Sequence, residues 1–323
     1  MTLSDTPWAG LEAGKVDTRR VNASGRWSFF WGVMPKTDPV LLLKMTALPT
    51  PLPRLPKLRS LETGFMTLPG GPSHYIRLRD PAQVEIFETL CRDVVASAEK
   101  AEAEALTRAI GRTFRWHHLL RGGRLDRLSD EEQKGLIGEL AILDRLIDLV
   151  GAKGALSSWT GPAGAPKDFE LHGHCIEVKA RRIAAQPWVQ ISNEFRLEDV
   201  PDHRLWLAVI AVDKVEDPFG ETLTEIVAQV GERILALNQG LMLEWEMTLA
   251  DAGFHEEDDY SDRRWVRAAA QWHVVSAGFP RLAAPVPNGV SNVKYALSLQ
   301  AASAFLVEST EVEHQIAEGH PHV

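Results

Sequence analysis

The stretch Pro166 to Ala180, PKDFELHGHCIEVKA, restricts the fold of this chain more than any other. Asp168-Phe169-Glu170-Leu171 and Cys175-Ile176-Glu177-Val178-Lys179 both alternate polar and apolar residues, as half-buried strands do. His172-Gly173-His174 between them is a short turn containing glycine, so the segment reads as a β-hairpin. If two residues make the turn, Asp168 shares a face with Glu177 and Lys179. Phe169, Leu171, Ile176 and Val178 then point to the other side. A three-residue loop needs a bulge to restore that match, so the expectation is a two-residue turn or a bulge. Two carboxylates and an ammonium on one face suit a metal-binding patch. The same pattern also fits an ordinary exposed hairpin with a Glu-Lys pair, which adds little to stability.

A helix upstream supplies a fourth ionisable group. Ser129 followed by Glu132 reads as a capping box, which starts a helix near Asp130, and Gly151 is its expected stop. Leu136, Leu140, Leu143, Leu146, Ile147 and Val150 recur at helical spacing, so one face is buried. Glu139 lies on or beside that apolar stripe. Gly138 next to it lets another backbone come close. An ionisable group in such a setting is unfavourable unless something compensates it. Either Glu139 reaches out to water, or it joins Asp168 and Glu177 around a divalent ion. Three carboxylates and a metal, with Lys179 alongside, form a device for hydrolysing phosphodiesters.

The order helical Glu139, then Pro166-Lys167-Asp168, then Glu177-Val178-Lys179 on a strand resembles the PD-(D/E)XK nuclease superfamily, which contains many restriction endonucleases. GLIGE, DF and IEVK look more closely like an uncharacterised bacterial group named for that motif, whose members tend to be encoded within restriction or phage-defence gene clusters. The likeness extends to PRLPKLRSLE near Arg54 and to FPRL and PNGVSNVKYALSL near the end. One departure is Lys167, which stands between Pro166 and Asp168 where the superfamily writes Pro-Asp directly. The resemblance implies an α/β fold with a restriction endonuclease-like core, a central mixed sheet flanked by helices. It implies Mg²⁺, with Mn²⁺ as a substitute, held by Asp168 and Glu177 with the Val178 carbonyl and waters. Glu139 would bind a second ion or orient its water. Lys179 would sit by the attacking water and the scissile phosphate. Gln190, in VQISNEF, is an accessory candidate that could equally be structural. DNA is the implied partner. The likeness also admits a homodimer and a partner ATPase, helicase or methyltransferase from the same gene cluster. The alternative reading is a catalytically silent nuclease fold serving as a DNA-binding or assembly subunit of a defence complex. An RNA-directed nuclease is a third reading.

The net charge of −9 argues on its face against a nucleic-acid ligand, so distribution matters more than the sum. Arg112, Arg115, Arg121, Arg124 and Arg127 gather before the Glu139 helix with His117 and His118, and Arg181 and Arg182 follow Lys179. Arg121, Arg124, Arg181 and Arg182 are the candidates to meet DNA phosphates; a solvated basic surface is the other reading. The acid-rich HEEDDYSD at 255–262 is expected to be an exposed loop, and it lacks the glycine and spacing of a calcium loop. No apolar run approaches the ~20 residues needed to cross a bilayer, no leader is apparent at the N-terminus, and two cysteines, Cys91 and Cys175, make no disulfide framework. A reduced cytoplasmic setting is expected. No G-x-x-x-x-G-K-[ST] phosphate loop and no G-x-S-x-G elbow occur. His172 and His174 have no further zinc ligand in pattern.

Residues 1–80 read as an N-terminal β-rich module, with strands at 26–34, 39–45 and 73–79 and a proline-rich interruption at TALPTPLPRLPKL. Residues 81–128 read as a helical connector: Asp80-Pro81 opens a helix that runs to about Lys100 and could continue to Trp116. Residues 129–305 read as the nuclease core and its elaboration, with a central buried strand at 205–212, a helix within 220–237, and further strands in 240–300. Residues 306–323 read as a polar tail that frays.

Overall fold

The computed structural model describes residues 6–12, 17–34, 38–50, 52, 55, 61–100, 105–216, 219–256, 258–282, 287, 290 and 293–319, less 121–126; for 81 and 117–120 it describes the backbone alone. The chain divides into two compact units, Met1–Leu125 and Asp126–Val323.

Among the described residues the first unit holds five strands, β1 (Thr18–Arg20), β2 (Phe29–Met34), β3 (Asp38–Lys44), β4 (Leu61–Leu68) and β5 (Gly71–Leu78), and two α-helices, α1 (Val84–Glu99) and α2 (Ala105–Leu120). The strands form one antiparallel sheet in the order β1-β2-β3-β5-β4. The expected strands correspond to β2, β3 and β5; β1 and β4 were not anticipated. The helices diverge from the picture of a connector. Val84, Phe87, Leu90, Val94 and Ala98 of α1, with Ala105 and Ala109 of α2, share one apolar cluster with Trp8, Phe29, Trp31, Leu41 and Ile76 of the sheet unit. Nor is there one long helix to Trp116. Asp93 of α1 receives Trp116 Nε1 at 2.7 Å and Arg112 Nη2 at 2.8 Å, so the two helices pack side by side.

The second unit is the α/β core. It contains α3 (Asp130–Ser158), β6 (Phe169–Leu171), β7 (His174–Arg181), β8 (Trp188–Ile191), β9 (Arg204–Val215), α4 (Leu223–Leu237), α5 (Met242–Asp251), β10 (Arg264–Arg267), β11 (Gln271–Val275), β12 (Tyr295–Ser298), β13 (Leu306–Val307) and α6 (Ser309–Glu318). The central sheet runs β13-β11-β9-β7-β6, with β10 also on β9. β7 and β9 are parallel and the other pairs antiparallel, so the sheet is mixed. One face packs Ile176, Val178, Trp206, Ala208 and Ile210 against residues of α3, α4, α5 and α6. The other packs Cys175, Leu205, Leu207 and Val209 against Val189 and Leu297 of the separate β8-β12 ribbon. β9 is apolar on both faces because both are covered.

The α3 helix opens with the expected capping box: Glu132 Oε2 accepts from Ser129 N at 2.8 Å and Ser129 Oγ accepts from Glu132 N at 3.4 Å. Gly151 breaks it at φ 74°, after which a second helical segment runs to Ser158. Gly138 sits where α3 crosses β7; a Cβ there would lie 3.3 Å from the Ala180 Cβ, so the small residue sets the close approach. The region 240–300 holds the expected strands and also α5, with Trp245 and Leu249 buried. The acidic segment 255–262 is the expected loop, with Glu256, Asp259 and Asp262 exposed, while Tyr260 is buried against Phe254 and Asp262 binds Arg127 at 2.5 Å. One expectation needs correction. The polar tail does not fray at Phe305, since Val312 and Ile316 of α6 are buried in the core cluster. Two apolar residues four apart suffice to hold a polar helix once a core face is available. Among the described residues, no helix is long and apolar enough to cross a membrane.

Ile316→Ala should therefore destabilise the protein by about 2–4 kcal/mol in urea unfolding, as for a buried aliphatic side chain. A change within about 0.5 kcal/mol, the usual effect at a surface position, would mean that the C-terminal helix adds nothing to the core.

Candidate functional site

The site is built at the edge of the central sheet. β6 and β7 pair with Phe169 opposite Ile176 and Leu171 opposite His174, leaving His172-Gly173 as a two-residue turn. Gly173 takes φ 71°, the left-handed conformation such a turn needs. The pairing continues through Asp168 N, which donates to Ile176 O at 3.1 Å. Asp168 therefore lies across from Glu177. At the next position the Asp168 side chain takes over from the backbone: its Oδ2 accepts from Val178 N at 2.7 Å. The main chain can then turn away, with Thr160 N and Gly161 N both donating to Asp168 O at 3.0 Å.

Glu177 is fully buried, and neither of its oxygens has a hydrogen bond of good geometry among the described residues. Its company is ionic: Lys179 Nζ lies 2.6 Å from Oε1, and Arg196 Nη1 lies 3.5 Å from Oε2. The same Arg196 nitrogen donates to Asp168 Oδ1 at 2.9 Å. Glu139 approaches from α3 and is fixed by Trp159 Nε1, which donates to its Oε2 at 2.7 Å. Burial pushes the Glu139 carboxyl up to about 8, with the Asp168 charge next in importance and the indole N–H opposing. Burial and then Asp168 likewise raise Glu177 to about 7, against Lys179 and Arg196. Asp168, Glu177 and Lys179 are thus all within electrostatic reach of Glu139. The reading of Glu139 as a side chain turned to water does not hold, nor does that of an exposed hairpin.

Other candidates lie elsewhere. Gln190 is exposed on β8 opposite Ala296, while its neighbours Val189 and Ile191 face the core. Arg181 bends back onto its own turn, donating to Ala185 O at 2.5 Å. Arg182 is exposed. Arg121 and Arg124 lie outside the described residues, as do the side chains of His117 and His118. Arg112 is engaged by Asp93, and Arg127 by Asp262. His174 is buried and its Nδ1 accepts from Trp206 Nε1 at 3.1 Å, so it is a packed residue of the sheet.

Sequence reasoning missed Arg196 and Lys167. Arg196 stands on a 3₁₀ turn, Glu194–Leu197, opened by Asn193, whose Oδ1 accepts from Phe195 N at 3.0 Å. Lys167, the residue that interrupts the Pro-Asp motif, is 1% exposed. Its Nζ donates to Phe195 O at 2.6 Å, Arg196 O at 2.9 Å and Glu198 O at 2.8 Å, using all three ammonium hydrogens on one turn. The signal was present as an extra lysine beside the aspartate, but its partners are roughly thirty residues away in sequence.

Two carboxylates side by side, one of them fully buried and held by ion pairs alone among the described residues, supply hard oxygen donors suited to Mg²⁺ or Mn²⁺, which need only one or two carboxylates and keep several waters. A positive charge already stands between them, that of Arg196. Among the described residues no three His, Cys, Asp or Glu side chains are close enough to ligate one ion as they lie. The donor chemistry fits a divalent cation at Asp168 and Glu177, with Glu139 outside that pair in this arrangement.

A mixed α/β sheet carrying this constellation at its edge is the frame of a nuclease-like protein. The family model described as "Putative PD-(D/E)XK family member" (DUF4420) matches residues 4–300, and the chain belongs to that family. This places it with the nuclease superfamily, whose members typically use divalent metals. No curated protein and no solved structure matches the chain.

The raised pKa values fix the sign of a pH effect. An acid with a folded pKa above its ordinary value of 4.5 favours folding while protonated, and that stabilisation is lost as pH rises from about 4.5 through 7 to 8. In chelator, the melting temperature should fall between pH 5.5 and 8.5, and Glu139→Gln, which mimics the protonated acid, should fall less steeply. Identical slopes for the two proteins would contradict the raised pKa of Glu139.

Proposed function

We propose that the chain is a Mg²⁺-dependent endonuclease that hydrolyses DNA phosphodiester bonds, with Mn²⁺ able to substitute, acting in a restriction or anti-phage system. The observation that carries this reading is the Glu177 carboxylate, fully buried, held by ion pairs alone among the described residues, and placed beside Asp168 and Lys179. A structural ion pair has no need of two adjacent carboxylates, since like charges at close range repel. Asp168 and Glu177 would hold the ion. A bound divalent cation would supply a Lewis acid for the phosphate and lower the pKa of a water.

The remaining work falls to side chains of the chain. Lys179, with its side chain 18% exposed, can reach a phosphate at the mouth of the site while its ammonium stays paired with Glu177. There its ammonium orients the attacking water and offsets the negative charge that builds on the phosphate. Glu139, oriented by Trp159, carries an acidity suited to proton transfer near neutral pH. Arg182, and Arg121 and Arg124, are the groups proposed to hold the flanking backbone of DNA. The defence setting draws on the family resemblance, and a homodimer would let both strands be cut.

A second reading has one observation in its favour. The Arg196 guanidinium already neutralises the two carboxylates, as it would in a silent fold retained for DNA binding or assembly. Plasmid incubated with purified protein and Mg²⁺ or Mn²⁺ tests the choice. Asp168→Ala and Lys179→Ala should each lower cleavage by at least about 100-fold, the scale of a lost acid-base or charge-stabilising group, while circular dichroism stays unchanged. Equal cleavage by wild type and Asp168→Ala would refute the nuclease reading. Absence of both cleavage and metal-dependent thermal stabilisation in the wild type would favour the silent one.

A further inference from the structure

The guanidinium between the carboxylates leads to an inference that rests on the metal-dependent reading above. Arg196 Nη1 lies 2.9 Å from Asp168 Oδ1 and 3.5 Å from Glu177 Oε2, which is the notch a divalent ion would enter. Two cations cannot share it, because the guanidinium would then face a doubly charged ion across a buried gap. The turn beneath Arg196 is firmly held. Lys167 Nζ binds three of its carbonyls, Asn193 caps its start, and Arg281 binds the carbonyl of Leu197. The Arg196 side chain is itself 21% exposed, and its buried Nε has no hydrogen-bond partner among the described residues, so no bond on that nitrogen opposes its movement. The backbone is thus anchored while the arm retains an open side toward which it can move.

We propose that Arg196 is the resident counter-ion of this site: it occupies the Asp168–Glu177 notch until a divalent cation displaces its side chain, and Lys167 is the positioning residue that presents it there. The arrangement holds the carboxylates together in the metal-free protein, where they would otherwise repel, and it weakens metal affinity by the fraction of time the notch is filled. A divalent ion that wins this competition leaves a guanidinium tethered at the edge of the site. Its planar donors match the oxygens of a phosphate.

Mn²⁺ binding by isothermal titration calorimetry at neutral pH, on full-length protein without nucleic acid, tests the competition directly. Arg196→Met, which keeps length and removes charge, should bind Mn²⁺ more tightly, by about tenfold if the guanidinium fills the notch nine-tenths of the time. The same variant should melt at lower temperature than wild type in chelator and regain the difference when Mn²⁺ is added. Arg196→Gln replaces it should the methionine variant fail to fold. Unchanged or weaker Mn²⁺ affinity in the variant, with binding abolished in Asp168→Asn, would overturn the role of Arg196 and leave the metal site standing. Wild type and Asp168→Asn both failing to bind Mn²⁺ would remove the metal reading and this proposal with it.

Discussion

The hydrogen bond from Val178 N to Asp168 Oδ2 is the interaction on which the site depends. It places a side-chain oxygen where a strand carbonyl would otherwise stand, so β6 ends at the sheet edge with its carboxylate still attached to the ladder. Asp168 is thereby locked opposite Glu177, one residue pair beyond the last paired residues of the hairpin. Two acids brought together in a low-dielectric edge are unfavourable unless a cation joins them. Lys179 and Arg196 stand in contact with the pair, and burial first and the Asp168 charge second raise the pKa values of Glu139 and Glu177.

Lys167 shows how a motif departure can be structural. An ammonium that is almost wholly buried would be costly without partners, and burial pulls its pKa down. Three backbone carbonyls satisfy it, all on the turn that carries Arg196. Removing one partner from such an arrangement costs several kcal/mol, about 3–5 where an ion is stranded. The residue between proline and aspartate therefore ties the chain before β6 to the segment after β8, and the acidic notch and its counter-ion are held by neighbouring positions of one strand entry.

The helix side of the site rests on packing. Glu139 reaches the acids because Gly138 allows α3 to lie against Ala180 of β7, and Trp159 at the end of the same helix turns its indole N–H back onto the carboxyl. A glutamate beside an apolar stripe is ambiguous in isolation, since its stem can lie along apolar surface with the head in water. Only the close crossing of helix and strand removes that choice. The same holds for the C-terminal helix, which reads as a polar tail until Val312 and Ile316 find a core face.

The amino-acid sequence by itself determined the local elements. Period-two alternation set the hairpin, narrowing its turn to two residues or a bulge, the Ser129–Glu132 box set the start of the Glu139 helix and Gly151 its break, and the unbroken apolar run set the central strand. These signals act over a few residues, where backbone geometry dictates which side chains share a face. Tertiary structure alone decided what meets the acids. Arg196 and Lys167 are ordinary basic residues until a turn some thirty positions downstream is folded beneath the sheet edge, and the fold-back of α2 on α1 depends on Asp93 and an apolar sheet face far away in the chain. Ion pairs and buried contacts between distant segments carry no periodicity, so no local pattern announces them.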